Sequence, residues 1–477
     1  MVAFVAAMSL YFAVTLPFSP DEAHYALYGT HLDWSYFDHP PMVGWVQSFF
    51  LLFGDSELVL RIAPLLFSLV SGILLYRIVK QEFSESAAWV AVLFYTSIPM
   101  FRLLGQAWVP ESPLMLVGLG CLFFTLRLQK SELSETKLTD WVSLGFLLGC
   151  AALSKYTAVT LAFSVALVLF RQFGLRVLSA SGFWVMGAIA AVLLLPILWW
   201  NYQHDWMSFL YQLNHGAGKS EWAVFKALQM QAGQVGTYGV LTYVLGIVST
   251  VWVLRDVERR QKFMVYLLFA WPILILFSVL AAKGRSLPHW TAMGVLFLIP
   301  VMSAWLESKW VGSFKGNLHK VWVTLLAVPS LLILLGAFAV LSGANLGYKD
   351  YQHPLQDLVG WKEVAAQTRD LAESDEEGFQ QVFVPNWSHG SRYAWYARPL
   401  PAKILDTRVD QFDLWFGAAA PGDSGYLVLH REKNKYHTQL LSRFEQCELK
   451  AERGADLNGV KVNHFKIYRC TNYQDVN

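Results

Sequence analysis

The sequence predicts a polytopic all-α membrane domain of about eleven transmembrane helices, followed by a smaller soluble domain of mixed α and β. Three observations predict it. Apolar runs of membrane-spanning length recur through the first two thirds of the chain, Lys and Arg alternate between successive loops, and the composition changes abruptly after residue 341. Of 477 residues, 55% are hydrophobic and 15% charged, which is too apolar for an ordinary soluble chain. The net charge of +2 gives no case for a nucleic-acid partner, because loop topology accounts for the basic residues.

Runs at 59–79, 177–200, 263–282 and 321–341 approach the roughly 20 residues that cross a bilayer. Shorter or interrupted runs fall at 1–16, 87–100, 113–128, 141–153, 157–170, 240–254 and 291–305. The run at 1–16 has neither a basic start nor a small-residue cleavage site, so it reads as a first span. With the N-terminus inside, one set of loops holds Arg77, Lys80, Arg127, Lys130, Lys137, Arg171, Arg176, Arg255, Arg259, Arg260, Lys262, Lys309, Lys315 and Lys320. The other set holds only Arg102, Lys155, Lys219, Lys226, Lys283 and Arg285. The positive-inside rule then puts residues 19–57, 201–236 and everything after 341 outside. Cys121 and Cys150 lie in apolar runs, whereas Cys447 and Cys470 lie outside, where an oxidising compartment allows pairing. Two separate thiols fit the sequence equally well.

The first outside stretch, 19–57, carries Asp21, Glu22, Asp33, Asp38, Asp55 and Glu57 and no Lys or Arg. Ser19, Pro20 and Glu22 have the spacing of a capping box with proline at the first helical position. An acid at position 21 suits a helix start by itself, yet a carboxylate one turn from a span is costly unless it is used. Residues 23–31 predict a short helix lying in the membrane interface, with Trp34, Tyr36, Phe37 and Trp45 as aromatic anchors. Asp38, His39, Pro40 and Pro41 form a stiff corner, since a residue before proline is held extended. Glu111 opens the run at 113–128, where a negative charge at a helix N-terminus is favourable without any function. Lys155 interrupts the run from 141 to 170 and faces the same side as the acids, either as an anion contact or as a snorkelling lysine. The second outside loop, 201–236, offers His204, Trp206, His215 and Lys219. Trp206 has a face for stacking on a sugar, and solvated histidines are the ordinary alternative to a site. Lys283 and Arg285 run against the charge bias beside Trp290, which invites an anionic ligand.

The segments DEAHY, YFDHPPMVGW, GDSELVLRIAP and NYQHDWMSFLYQLNHG resemble polyprenyl-phosphate-sugar-dependent glycosyltransferases of the GT-C class. The nearest kinds are the bacterial members of the protein-mannosyltransferase and lipid A aminoarabinose-transferase superfamily. The resemblance covers roughly residues 1–300. It implies a GT-C-like domain over 1–342, with 19–57 as a periplasmic catalytic loop, and a periplasmic α/β domain over 343–477. It implies Asp21 as the base that deprotonates an acceptor hydroxyl for inverting attack, with Glu22 and Tyr25 beside the substrate. Glu111 matches the position of an assisting acid. Asp38 and His39 match an acid-base-Pro-Pro corner in which the aminoarabinose transferases carry Glu-Lys. His in place of Lys is a departure, so His39 is a hydrogen-bond donor, a phosphate ligand when protonated, or a metal ligand. Asp38, His39 and His204 are the candidates should a divalent metal be needed, which the resemblance leaves open. His39, Lys155, Lys283 and Arg285 would hold the donor phosphate, and Trp206, His204 and Trp290 would line the substrate. The implied partners are an undecaprenyl-phosphate-sugar donor and a lipid A, lipopolysaccharide or protein acceptor at the bacterial inner membrane. The rival from another class is a lipid or solute transporter, which would carry its ionisable residues at the membrane midplane.

The C-terminal region predicts a helix over 354–373 and strands over 381–384, 425–430 and 462–469. It has no nucleotide-binding loop and no serine elbow, and its expected role is acceptor binding or bracing of the outer loops.

Overall fold

A computed structural model describes residues 2–217, 222–284, 286–310, 331–332, 335–336, 338–340, 342, 344, 346–431 and 434–474. In chain order the first helices are α1 (Val2–Thr15), α2 (Pro20–Thr30), α3 (Met42–Leu51), α4 (Glu57–Glu82), α5 (Glu85–Ser97), α6 (Pro99–Leu104) and α7 (Glu111–Gln129). There follow α8 (Leu138–Ser154), α9 (Ala158–Phe173), α10 (Ser181–Gln203), α11 (Met207–Ala217), α12 (Val224–Tyr238), α13 (Val240–Leu254), α14 (Val257–Lys283) and α15 (Ala292–Trp310). The remainder is α16 (Trp361–Glu373), β1 (Val382–Val384), α17 (Trp387–Tyr396), β2 (Ala402–Ile404), α18 (Gln411–Phe416), β3 (Gly425–His430), α19 (Asn434–Leu441), β4 (Phe444–Leu457) and β5 (Val460–Tyr473).

The chain divides into two compact units. The first comprises Met1–Ser9, Asp33–Val43 and Arg61–Leu334, and the second Leu10–Leu32, Gly44–Leu60 and Leu335–Asn477. The division runs through the first acidic stretch. Asp38 and His39 belong to the first unit, and Asp21 and Glu22 to the second.

Six helical segments of the described residues are long and apolar enough to cross a membrane, or seven if the pair α12 and α13 is one span. The expected count of about eleven is therefore not reached by length. The runs at 1–16, 87–100 and 141–153 form helices of 14, 13 and 17 residues. The run at 321–341 lies mostly outside the described residues. The run at 240–254 is one arm of a break of 109°, made where Gly239 takes a φ of +87° that side chains rarely adopt. The segment containing α15 is the most enclosed, with 83% of its apolar window buried, and α10 is the least, with 17%. A helix with so much apolar surface uncovered suits hydrocarbon, whereas α15 forms the middle of the first unit.

Close helix contact in this unit rests on small residues. Gly145 and Gly149 lie four apart on α8, where a Cβ on Gly145 would fall 2.5 Å from the Met186 carbonyl oxygen of α10. A Cβ on Gly149 would fall 2.4 Å from Leu193. This small-xxx-small spacing lets two backbones approach where burial of apolar surface gives helices little reason to associate.

The second unit holds a five-stranded sheet in the order β2-β1-β3-β5-β4. The strand β1 runs parallel to β2 and β3, while β5 is antiparallel to β3 and β4. The expected strands at 381–384, 425–430 and 462–469 correspond to β1, β3 and β5. The core joins α2 to this domain: Phe18, Ala23, Ala26 and Leu27 cluster with Trp361, Tyr393, Trp395 and Phe465. An interfacial position was expected for α2, but Glu22 through Gly29 are all buried. Its apolar side covers α17 instead of lipid, with His24 enclosed by Tyr25, Tyr28, Trp387, Phe412 and Trp415. Cys447 and Cys470 face each other across β4 and β5 and form a disulfide, with 4.1 Å between their Cα atoms.

Candidate active site

In the first unit, helix ends converge on Glu111. This carboxylate stands at the first position of α7, and Lys155, the residue that ends α8, donates to its Oε1. Both side chains are nearly covered, 5% and 9% exposed, so Lys155 does not snorkel to solvent. His289, in the short turn between α14 and α15, places Nε2 3.5 Å from the same Oε1. His39 also acts electrostatically on Glu111, which brings the proline corner to this cluster. The turn that holds His289 is pinned by Tyr238, whose hydroxyl donates to the Pro288 carbonyl at 2.8 Å.

The corner is built by local bonds. The amide of Tyr36 donates to the His39 carbonyl at 3.1 Å, and Gln212 of α11 donates to the Asp38 carbonyl at 2.6 Å. The Asp38 and His39 side chains meet at 3.9 Å. Upstream, Trp200 donates its indole N–H to Asp33 at 2.8 Å, which fastens the loop to the end of α10. Tyr156 follows Lys155, shares a hydrogen bond with Ser208, and lies within the field of Asp38. Burial pushes its phenol above the ordinary value, so it stays protonated and able to donate.

The segment 201–236 has two consecutive residues in the left-handed region, Asp205 at φ +50° and Trp206 at φ +60°. This conformation costs free energy in residues with side chains. Trp206 remains 44% exposed and stacks on Phe209 at 5.9 Å. His204 stacks on Trp200 at 4.0 Å, with Nδ1 2.8 Å from the Trp200 carbonyl. Lys283 lies 4.9 Å over the Trp222 ring, and Trp290 packs on Phe277 at 5.4 Å. Arg285 and Lys219 lie outside the described residues, as does the side chain of His215.

The second unit holds the other named acids. Asp21 is exposed on the first turn of α2. Glu22 is buried, and its carboxylate accepts from the Ser19 amide at 3.1 Å and hydroxyl at 3.0 Å, the two halves of the cap being completed by the Ser19 oxygen. Tyr25 is buried in the aromatic cluster around His24.

The structure thus gathers Asp38, His39, Glu111 and Lys155, with Trp290 beside His289. Sequence reasoning passed over His289, although it sits between the flagged Lys283 and Trp290. Among the described residues, no group of three or more His, Cys, Asp or Glu side chains is arranged to hold a metal ion. A buried carboxylate shared by an ammonium and an imidazole fixes the orientation of both groups, and their N–H donors suit an anionic group placed against them.

Residues 38–200 match the model of the family described as dolichyl-phosphate-mannose-protein mannosyltransferase. Lipid A galacturonosyltransferase RgtD of Rhizobium johnstonii is 24% identical over 317 residues, and the match spans 63% of this chain and 63% of that relative's length. ArnT from Cupriavidus metallidurans bound to undecaprenyl phosphate superposes with a TM-score of 0.67 at 17% identity, covering 98% of this chain and 97% of that one. Its apo form gives 0.66 at 15% identity, covering 98% and 96%. Family model, relative and solved structures agree, and they identify the chain as one with the GT-C fold of the ArnT-like glycosyltransferases.

Proposed function

We propose that this protein is an integral-membrane glycosyltransferase that moves one sugar from a polyprenyl-phosphate carrier, undecaprenyl phosphate, to a cell-envelope acceptor such as lipid A or lipopolysaccharide. The observation that carries the reading is the buried Glu111, Lys155 and His289 cluster beside the Asp38-His39 corner, in a chain of this fold. In the reaction, Asp21 takes the proton of an acceptor hydroxyl as its oxygen attacks the anomeric carbon from the face opposite the phosphate. The bond from that carbon to the phosphate oxygen breaks, the configuration inverts, and polyprenyl phosphate leaves with the bonding pair. Lys155, Lys283 and His39 stabilise the charge that grows on the leaving phosphate, and Arg285 is the further candidate. Glu111 holds Lys155 and His289 in position. Trp206, His204 and Trp290 line the sugar side, and Asp38 fixes the corner that presents His39.

The chemistry faces the periplasm, and the N-terminus is cytoplasmic. If α1, α5, α8 and the run at 321–341 also cross, the count returns to about eleven. The disulfide agrees with an oxidising side for the C-terminal unit.

The test is reconstitution. Purified protein in detergent, given undecaprenyl-phosphate sugar and lipid A, is expected to release undecaprenyl phosphate only when acceptor is present. Movement of the intact donor across liposomes without release would favour a flippase and count against the proposal.

A further inference from the structure

The second unit contains a polar cavity of about 360 Å³ whose lining residues carry no role in the proposed transfer. Its walls come from three places. Asp55 and Glu57 lie just before and at the start of α4, Lys362 and Arg369 lie seven apart on one face of α16, and Trp395, Tyr396 and Arg398 lie at the end of α17 and just past it.

The charges are arranged in pairs with one cation in excess. Arg398 meets Asp55 at 2.8 Å, and Lys362 meets Glu57 at 2.5 Å. Tyr396 donates its hydroxyl to Glu57 at 2.9 Å. Arg369 has its carboxylate contact outside the cavity, with Glu373 at 4.0 Å one turn along its own helix. Both cations of the paired set lie on aromatic faces: the Arg398 guanidinium is 3.4 Å from the Trp395 ring centre, and Lys362 is 5.5 Å from that of Tyr396. These contacts fix the two heads on the cavity wall, so they need little ordering when a ligand arrives. Asp55 is 71% exposed, so its hold on Arg398 is at the rim and screened by water. An incoming anion can replace it.

We propose that this cavity binds a phosphorylated saccharide. Arg398 and Arg369 take the phosphate through the planar fork that matches its oxygens, while Glu57, held by Tyr396 and Lys362, accepts from sugar hydroxyls. The volume lies at the small end of small-molecule sites, which suits a phosphorylated sugar better than a whole lipid. Under the proposed transferase function the source is the phosphorylated headgroup of the acceptor, and the inference rests on that reading only for this assignment.

The experiment uses the full chain in detergent, with intrinsic tryptophan fluorescence and calorimetry as readouts and glucosamine 1-phosphate as the probe. Saturable binding is expected, weakened at least tenfold by Arg369→Gln and by Arg398→Gln, with both variants eluting like the wild type from gel filtration. Competition by lipid A in nanodiscs would assign the site to a lipid headgroup, and lack of competition to a soluble sugar phosphate; either supports the chemistry proposed. Equal affinity for glucosamine or for inorganic phosphate, or unchanged binding by both arginine variants, would overturn it. Probe binding by a protein that shows no transfer would count against the transferase reading alone.

Discussion

Glu111 and Lys155 form an ion pair with both side chains less than a tenth exposed, linking the first residue of α7 to the residue that ends α8. Taking two charges out of water is repaid only when each keeps its partner. Glu111→Gln would leave an ammonium covered and unmatched, and the expected loss is about 3 kcal/mol of stability together with most of the transfer activity. Combining Glu111→Gln with Lys155→Met is expected to restore the melting temperature in detergent without restoring transfer. Full activity of the double variant would reduce the pair to scaffolding.

Removing the Glu22 carboxylate should act on α2 alone. Glu22→Gln loses the charged acceptor for the Ser19 amide, and the expected cost is about 1 kcal/mol, with activity largely retained at low temperature. Thermal unfolding set beside turnover at two temperatures checks this.

The contact between α8 and α10 has no room for a side chain at Gly145. Gly145→Leu is expected to prevent stable expression, whereas Gly187→Leu on α10, which a Cβ would leave in open space, is expected to be tolerated. Fluorescence-detected gel filtration of the two variants gives the comparison.

Acid should weaken the second unit in a definite window. Burial among Trp361, His389 and Phe465 lowers His430 to about 4, from about 6.5 in an unfolded chain. Between those values the unfolded state binds the extra proton, so the stability contributed by neutral His430 is full above pH 6.5. It is lost as pH falls toward 4, by about 3 kcal/mol in all. Asp375 acts in a lower range. Its hydrogen bond from Arg469 holds it below the usual carboxylate range, so its contribution fades only below about pH 4. Melting curves from pH 7 to pH 4.5 should therefore fall more steeply for wild type than for His430→Gln.

The long apolar runs, the cap at Ser19 and Glu22, and strands β1, β3 and β5 were legible because each is a local pattern. Strand β4 was not, since Glu445, Glu448, Lys450, Glu452 and Arg453 give it the composition of a solvated loop. It is an edge strand, and its order comes from pairing with β5 and from the Cys447–Cys470 bond. The interfacial reading of α2 failed because its apolar face suits a membrane surface as well as it suits α17, and one sequence cannot tell which surface is present. The acids and bases of the first unit were named from their loops. What local sequence could not show is which of them meet: Lys155 faces Glu111 instead of standing apart, and His289 joins them from a turn far along the chain.

Mass spectrometry of envelope glycolipids tests the central claim most directly, in cells carrying the wild-type protein, no protein, or Asp21→Asn at equal expression. The account predicts that one sugar's mass disappears from a glycolipid in both the null and the Asp21→Asn cells. An unaltered glycolipid profile in the null cells would contradict the assignment of an envelope glycolipid as acceptor, and a wild-type profile in Asp21→Asn cells would contradict Asp21 as the base.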